Sequence, residues 1–155
     1  CRLKGYEKFS PKRIILDKNL DISLSSYVFK SAKKGNTIIF YKSSNNSKIK
    51  ALKNKGINLI KSKLNNNNNF DLKIILKKLY ILGIKNLLVE GGDKITKNLL
   101  RKRLIDQFYL FKSPKNLSNN KKNLSFTSLN VLNKYGSKSK ISSKLAKDTI
   151  TIYKR

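Results

Sequence analysis

The chain has 155 residues, and its 36 Lys and Arg against 8 Asp and Glu give a formal net charge of +28 at pH 7. This length suits one compact domain and is short for two. A single cysteine and the absence of histidine exclude disulfide frameworks, Ser-His-Asp triads, Cys–His dyads and histidine metal sites within these residues.

Short apolar runs alternate with helical patterns along the chain. Strands are predicted at 13–17, 37–41, 57–60, 86–90 and 106–111, with helices at 48–55, 71–83 and after Gly92. The second of these helices carries an apolar stripe formed by Leu72, Ile75, Leu76, Leu79 and Tyr80. Two closely spaced strands, 140–145 and 149–153, follow near the end. This order predicts an α/β fold, with a mixed, mostly parallel sheet flanked by helices and an antiparallel C-terminal edge.

Basic residues are spread along the whole chain rather than concentrated on one element. Lys greatly outnumbers Arg, and Asn and Ile are abundant, which is typical of coding sequence rich in A and T. A dedicated nucleic-acid-binding protein more often clusters its basic residues among aromatic side chains. We therefore attribute most of the charge to compositional drift and expect no specific nucleic-acid partner. A non-enzymatic basic module that binds nucleic acid is the alternative from a different class.

No apolar run approaches the ~20 residues that span a bilayer, and no signal-peptide pattern opens the chain. We therefore expect a cytoplasmic protein without membrane association. The chain contains no methionine and opens on Cys1. We expect a processed or trimmed chain or a fragment, and we favour a fragment because the first residues read like the middle of a domain.

The segment 87–93 reads Leu-Leu-Val-Glu-Gly-Gly-Asp: an apolar strand, a carboxylate, two glycines and the start of a helix. The glycines would let the backbone approach a ligand and adopt conformations closed to other residues. The helix start offers unpaired N–H groups and a positive dipole end to a phosphate, to which Lys94, Thr96 and Lys97 add donors and charge. Glu90 would stand at the carboxyl end of a strand, where open α/β sheets bind ligands. A plain strand-to-helix turn is the alternative that the spacing leaves open.

Structural roles are favoured for two further groups of residues. Asp17 ends the first strand, where capping a turn is favoured over a role near a cofactor. Phe108, Tyr109 and Phe111 are interpreted as core and sheet-face residues rather than as a platform for stacked bases.

Several segments together resemble one enzyme family. They are Pro11-Lys12-Arg13-Ile14-Ile15-Leu16-Asp17, residues 37–39, residues 83–92, Leu104-Ile105-Asp106 and Ser113-Pro114. In order and spacing they look like the reductase domain of the bifunctional riboflavin biosynthesis deaminase–reductase, which is similar in fold to dihydrofolate reductase. The resemblance runs from Cys1 to Tyr153. It implies a single dihydrofolate-reductase-like domain and the NADPH-dependent reduction of 5-amino-6-(5-phosphoribosylamino)uracil to its ribitylamino form.

The resemblance also assigns residues. It implies that Glu90 contacts the ribose-derived part of the substrate and that Arg2 binds the substrate phosphate, and it singles out no proton donor. The residues it implies for NADPH are Lys18, Gly91, Gly92, Asp93, Lys94, Ile95, Thr96, Lys97 and Asn98. At Lys18 this sequence departs from the family, where Ser or Thr is more usual. The resemblance further implies a homo-oligomer formed through the reductase domain.

In the family, the domain begins upstream of the position of Cys1 with a strand and further substrate and cofactor contacts, and a zinc deaminase domain precedes it. Residues 1–155 are therefore expected to be a partial reductase domain. We expect this chain alone to show no measurable NADPH-dependent turnover. A decayed or regulatory paralogue that keeps the fold without the activity is a third possibility.

Overall fold

A computed structural model describes residues 5–6, 9–114, 129–132, 135–141 and 147–155. The chain divides into two compact units, Cys1–Ile75 and Leu76–Arg155, and each is considered by itself. Within the described ranges, no helix is long and apolar enough to cross a membrane.

The first unit is built on a parallel sheet of three strands in the order β1-β2-β3. Its elements are β1 (Arg13–Leu16), α1 (Tyr27–Lys30), β2 (Thr37–Tyr41), α2 (Asn46–Asn54) and β3 (Asn58–Lys61). The central strand β2 is buried at all five positions, as expected for a strand covered on both faces. Leu52 of α2 packs into the same core as Ile39 and Tyr41.

Helix α3 (Leu72–Ile81) crosses the boundary between the units. Leu72, Ile75 and Leu79 of its predicted stripe are buried, whereas Tyr80 is 67% exposed, so its assignment to the apolar face was wrong. The Asp71 carboxylate accepts a hydrogen bond from the amide of Lys73 at 3.0 Å, as its position at the helix start predicts.

The second unit contains α4 (Asp93–Arg101), β4 (Gln107–Lys112), α5 (Leu129–Leu132), β5 (Ser137–Ile141) and β6 (Thr149–Lys154). Its three strands form an antiparallel sheet in the order β4-β6-β5. Its core is formed by Leu100, Leu132, Tyr135 and Tyr153, with Phe108 and Leu110 packed against them.

The three longest helices, α2, α3 and α4, end in the same hydrogen-bonding pattern. In each, one amide donates to the carbonyl three residues back and the next amide to the carbonyl five residues back, over 2.8–3.2 Å. The first of these amides belongs to a residue with left-handed backbone, with φ of +84° at Gly56, +79° at Gly83 and +52° at Arg103. This is the Schellman motif, in which glycine is the usual left-handed residue.

The mixed α/β fold is confirmed, with one parallel and one antiparallel three-stranded sheet among the described strands. The strand predicted at 86–90 is wrong, because none of these residues pairs with a described strand. Leu88 is 74% exposed there. A strand exists only where a neighbour completes its hydrogen bonds, and an apolar run by itself does not supply one. The last hairpin also starts earlier than predicted, at Ser137, while residues 142–146 lie outside the described part.

Candidate functional site

The start of α4 is formed by backbone alone. Gly92 is the N-terminal cap, with φ −71° and ψ 174°, and it offers no side-chain hydrogen bond. Its carbonyl accepts the first bond of the helix, from the amide of Thr96 at 3.3 Å. The amides of Lys94 and Ile95 come before that bond and so have no carbonyl partner inside the helix. The positive end of the helix dipole therefore presents bare N–H groups at this point.

The two glycines act differently from the sequence-based expectation. Neither has a left-handed backbone, so the prediction of conformations closed to other residues was wrong. At Gly91 the reason for glycine is space, because a Cβ there would collide with the side chain of Ile95. At Gly92 a Cβ would meet nothing within 4 Å. The exposed main chain at Gly92 is therefore open to a ligand, which is the property a phosphate seat needs.

Glu90 lies directly before this pair of glycines. Its side chain is exposed and makes no hydrogen bond or ion pair with the residues that the structure describes. An exposed carboxylate two residues before a helix cap is free to accept hydrogen bonds from hydroxyl groups of a ligand. The prediction that Glu90 stands at the end of a strand is wrong, because residues 86–90 form no strand.

The other predicted cofactor residues on α4 divide between its two faces. Lys94 is exposed, and Lys97 and Asn98 are half-buried. Thr96 is only 7% exposed and belongs to the buried face with Leu99 and Leu100. Ile95 is half-buried, and Asp93 provides a carboxylate in the first turn. The charges at this end are thus the positive end of the dipole and the Lys94 ammonium, with the Asp93 carboxylate of opposite sign in the same turn.

Lys18 belongs to the first unit, whereas the residues at 90–98 belong to the second. Its backbone carbonyl accepts hydrogen bonds from the amides of Lys42 at 2.9 Å and Ser43 at 3.3 Å, which fixes the turn after β1. The neighbouring Asp17 carboxylate accepts bonds from the amides of Asp21 and Ile22, both at 2.9 Å. The interpretation of Asp17 as a turn cap is confirmed. Arg2 lies outside the described residues.

The three aromatic residues of β4 do not share one environment. Phe108 packs against the core of the second unit, with its ring 6.4 Å from that of Tyr153, as predicted. Tyr109 and Phe111 point to the other face and are 48% and 64% exposed.

Arg101 and Arg103 were not among the site residues predicted from the sequence. They lie at the C-terminal end of α4, where two hollows open. The scarcity of arginine in this lysine-rich chain is the feature of the sequence that could have identified these two residues.

The described strands and helices define a mixed α/β fold that is also found in solved structures of other proteins. It is similar to the crystal structure of a pyrimidine reductase-like protein from Corynebacterium diphtheriae, with a TM-score of 0.65, 20% sequence identity and coverage of 93% of this chain and 60% of that one. It is also similar to RibD from Acinetobacter baumannii, with a TM-score of 0.68, 16% identity and coverage of 93% and 37%. At these identities the likeness establishes the fold alone.

Sequence comparison establishes the family. The RibD C-terminal domain matches residues 2–150, and the chain belongs to this family. Riboflavin biosynthesis protein RibD of Aquifex aeolicus is 38% identical over 105 residues, which are 68% of this chain and 28% of that protein. The protein of the same name from Actinobacillus pleuropneumoniae is 29% identical over 105 residues, with the same coverage. The chain thus spans about a quarter of the length of these curated relatives, and the resemblance stated above is confirmed.

Proposed function

We propose that this chain acts in riboflavin biosynthesis as an NADPH-dependent reductase domain for 5-amino-6-(5-phosphoribosylamino)uracil. Family membership supports the reaction class. The observation that carries the proposal is the start of α4, where backbone amides without a helical partner follow directly after the exposed Glu90 carboxylate, which has no partner in the part of the chain that the structure describes. A phosphate seat beside a hydroxyl-binding carboxylate is what a reductase needs when it brings a dinucleotide to a sugar-derived substrate.

The residues divide the work by their chemistry. NADPH, when bound, would supply the hydride for a reduction in which the C=N bond at C1 of the opened, imine-like ribose takes up one hydride and one proton. The amides of Lys94 and Ile95 would hold its phosphate oxygens, and the Lys94 ammonium would add positive charge. The Glu90 carboxylate accepts hydrogen bonds from hydroxyl groups of the ribose-derived part and fixes its orientation. Arg2 supplies the planar pair of donors suited to the substrate phosphate.

The first experiment tests the phosphate seat through Gly92→Ala. The backbone of Gly92 suits any residue and its Cβ position is open, so the free energy of unfolding should fall by no more than about 1 kcal/mol, the cost of a poorer N-cap residue. The added methyl group would stand where the phosphate approaches, so NADPH affinity, measured by calorimetry, should fall at least tenfold. Unchanged affinity in a folded variant would contradict the seat.

A charge-matched pair of variants separates local binding from the general attraction of a +28 protein. Lys94 and Lys73 are both exposed and both occupy the second position of a helix. They differ in one respect, since Asp71 caps the amide of Lys73. Lys94→Gln should weaken NADPH binding, and Lys73→Gln should change it only as much as any single lost charge. Equal effects would show that the attraction is non-specific.

Glu90→Gln tests the substrate half of the proposal. The change keeps the shape and removes the charge, so substrate affinity should fall while NADPH affinity stays as in wild type. Asp21→Asn is the control, because Asp21 is another exposed carboxylate and makes the same change in net charge. A loss of NADPH binding in Glu90→Gln would move Glu90 from the substrate side to the cofactor side.

A further inference from the structure

Two adjoining hollows lie at the C-terminal end of α4, with volumes of about 340 and 290 Å³. They share Arg103 and Tyr135. The first hollow is also lined by Leu100, Arg101 and Val131, and the second by Arg155. The larger volume is in the range of small-ligand sites. Helix α4 has nine residues, so this end lies about 13 Å from Gly92 and is separate from the phosphate seat described above.

Arginine is scarce in this protein, which makes its placement informative. Of the 36 basic residues only five are arginines, at positions 2, 13, 101, 103 and 155, and three of these line the hollows. Arginine presents a planar fork that binds an oxyanion with two parallel hydrogen bonds, whereas lysine is a mobile point charge. In a background that has drifted to lysine, three arginines at one place indicate a need for that fork.

Two of the five arginines have structural partners that account for them. Arg13 donates to the Ser31 hydroxyl at 2.8 Å and to the side-chain oxygen of Asn36 at 3.2 Å. Arg155 pairs with the Asp106 carboxylate at 3.1 Å and donates to the carbonyl of Arg103 at 2.9 Å. The guanidinium groups of Arg101 and Arg103, by contrast, make no hydrogen bond or ion pair within the described ranges. Both residues are exposed.

Arg103 also occupies a position that disfavours it. It is the left-handed residue of a Schellman motif, with φ +52°, where the equivalent positions after α2 and α3 are Gly56 and Gly83. A side chain in this conformation strains the backbone, and glycine or asparagine would relieve the strain. The chain is rich in asparagine, yet arginine stands here. Strain retained at one of three equivalent helix ends points to a function for the side chain.

The surroundings define the ligand. The Tyr135 hydroxyl donates to the carbonyl of Ile105 at 3.0 Å, and burial raises the pKa of this hydroxyl above its usual 10.0. Tyr135 is therefore neutral and offers ring surface rather than negative charge. Asp106 pairs with Arg155, so the guanidinium groups of Arg101 and Arg103, which have no partner within the described ranges, leave a charge of +2 beside the half-buried side chain of Val131.

We propose that Arg101 and Arg103 form a second, anion-binding site in these hollows, which takes the dianionic group of a small organic phosphate. The two guanidinium groups match the dianion in charge, and the side chain of Val131 contacts part of the organic portion. The site is independent of the proposed reductase function.

The test is a titration of ¹⁵N-labelled protein with inorganic phosphate at constant ionic strength, with sodium chloride as the reference salt. Saturable shifts should appear at the side-chain Nε–H signals of Arg101 and Arg103, and chloride should not produce them. Arg103→Lys keeps the net charge at +28 but removes the fork, so the phosphate Kd should rise about tenfold, as expected for the loss of one charge-assisted hydrogen bond. Shifts spread evenly over all basic residues would overturn the proposal, as would an unchanged Kd in Arg103→Lys.

Three further variants exclude simpler explanations. Arg103→Gly relieves the left-handed strain, so it should raise Tm by a few degrees while abolishing the phosphate shifts. If it lowered Tm instead, the side chain would be structural and the proposal would fail. Arg101→Gln should weaken phosphate binding more than Lys53→Gln, which removes one charge from the last turn of α2. Lys94→Gln should leave the shifts at Arg103 intact, because it belongs to the other end of α4.

Discussion

Gly56 and Gly83 allow two costs of replacing glycine by alanine to be measured separately. One is the strain of a left-handed backbone, and the other is the collision of the added Cβ with its neighbours. Both glycines are the left-handed residue of a Schellman motif, with φ of +84° and +79°. They differ in their surroundings, since a Cβ at Gly83 would meet nothing within 4 Å. At Gly56 a Cβ would lie 2.8 Å from the backbone nitrogen of Lys34 and 3.1 Å from its Cα. Alanine at Gly83 therefore tests the conformational strain alone, and alanine at Gly56 adds a collision with main chain.

The magnitudes follow from these two terms. Left-handed backbone costs a residue with a Cβ about 1–2 kcal/mol, and the lower entropy of the unfolded alanine chain returns about 0.4–1 kcal/mol. Gly83→Ala should therefore lose about 1 kcal/mol of unfolding free energy. Gly56→Ala carries the same strain, and displacing the Lys34 backbone adds about 1–3 kcal/mol, as overpacking does elsewhere. Its total loss should be about 2–4 kcal/mol.

Urea unfolding followed by circular dichroism measures the two losses. Amide hydrogen exchange in β2 and in β6 then reports each unit separately, because Gly56 lies in the first unit and Gly83 in the second. Gly56→Ala should lower protection in β2, since the displaced turn at Lys34 leads into that strand. Equal losses in the two variants would refute the reasoning, because they would mean that the contact with Lys34 has no energetic effect.

Three other outcomes follow from single side chains. Burial raises the pKa of Tyr135. The unfolded chain therefore releases this proton first, and the free energy of unfolding falls as the pH rises past 10. In unfolding titrations, the difference in this free energy between wild type and Tyr135→Phe should be constant below pH 10 and narrow above it. Asp17→Ala removes the acceptor of two amide bonds and should cost about 1–3 kcal/mol, with faster exchange at Asp21 and Ile22; unchanged exchange would contradict the cap. Gly91→Ala should displace Ile95 and lower Tm more than Gly92→Ala does, and equal Tm values would remove the distinction between the two glycines.

The elements that sequence patterns predicted well are those whose signals are local. Strand β2 was predicted residue for residue, because an apolar run lies between the turn at Gly35 and the charge of Lys42. Helix α3 was bounded by Asp71 and Gly83, and both act as the pattern indicates. The strand prediction at 86–90 failed because a strand needs a partner strand, which can come from any part of the sequence. The apolar run of Leu87 and Leu88 carries no information about where that partner strand is.

The site shows the same division between local and non-local information. The order of glycine pair and helix pattern predicted the start of α4 after Gly92, and the structure confirms that start. The reason for each glycine required coordinates, because only the packing of Ile95 distinguishes Gly91 from Gly92. Arg103 is a stronger example of a feature that required coordinates. Residue preferences favour glycine or asparagine at a left-handed helix end, so the sequence would have predicted against a left-handed backbone at an arginine.

The two sites proposed on α4 also illustrate why net charge is a poor guide to ligand binding in this chain. At its start, an anion is favoured by amides and a dipole that belong to any helix, and only Lys94 of the lysine excess contributes. At its end the dipole is unfavourable to an anion, with a partial charge of about −0.5, and a site can exist only if side chains overcome it. Arg101 and Arg103 supply +2 and so leave a clear surplus. The lysines spread over the rest of the surface add a field that salt screens within about 10 Å, and we expect them to discriminate between anions far less than either proposed site on this helix.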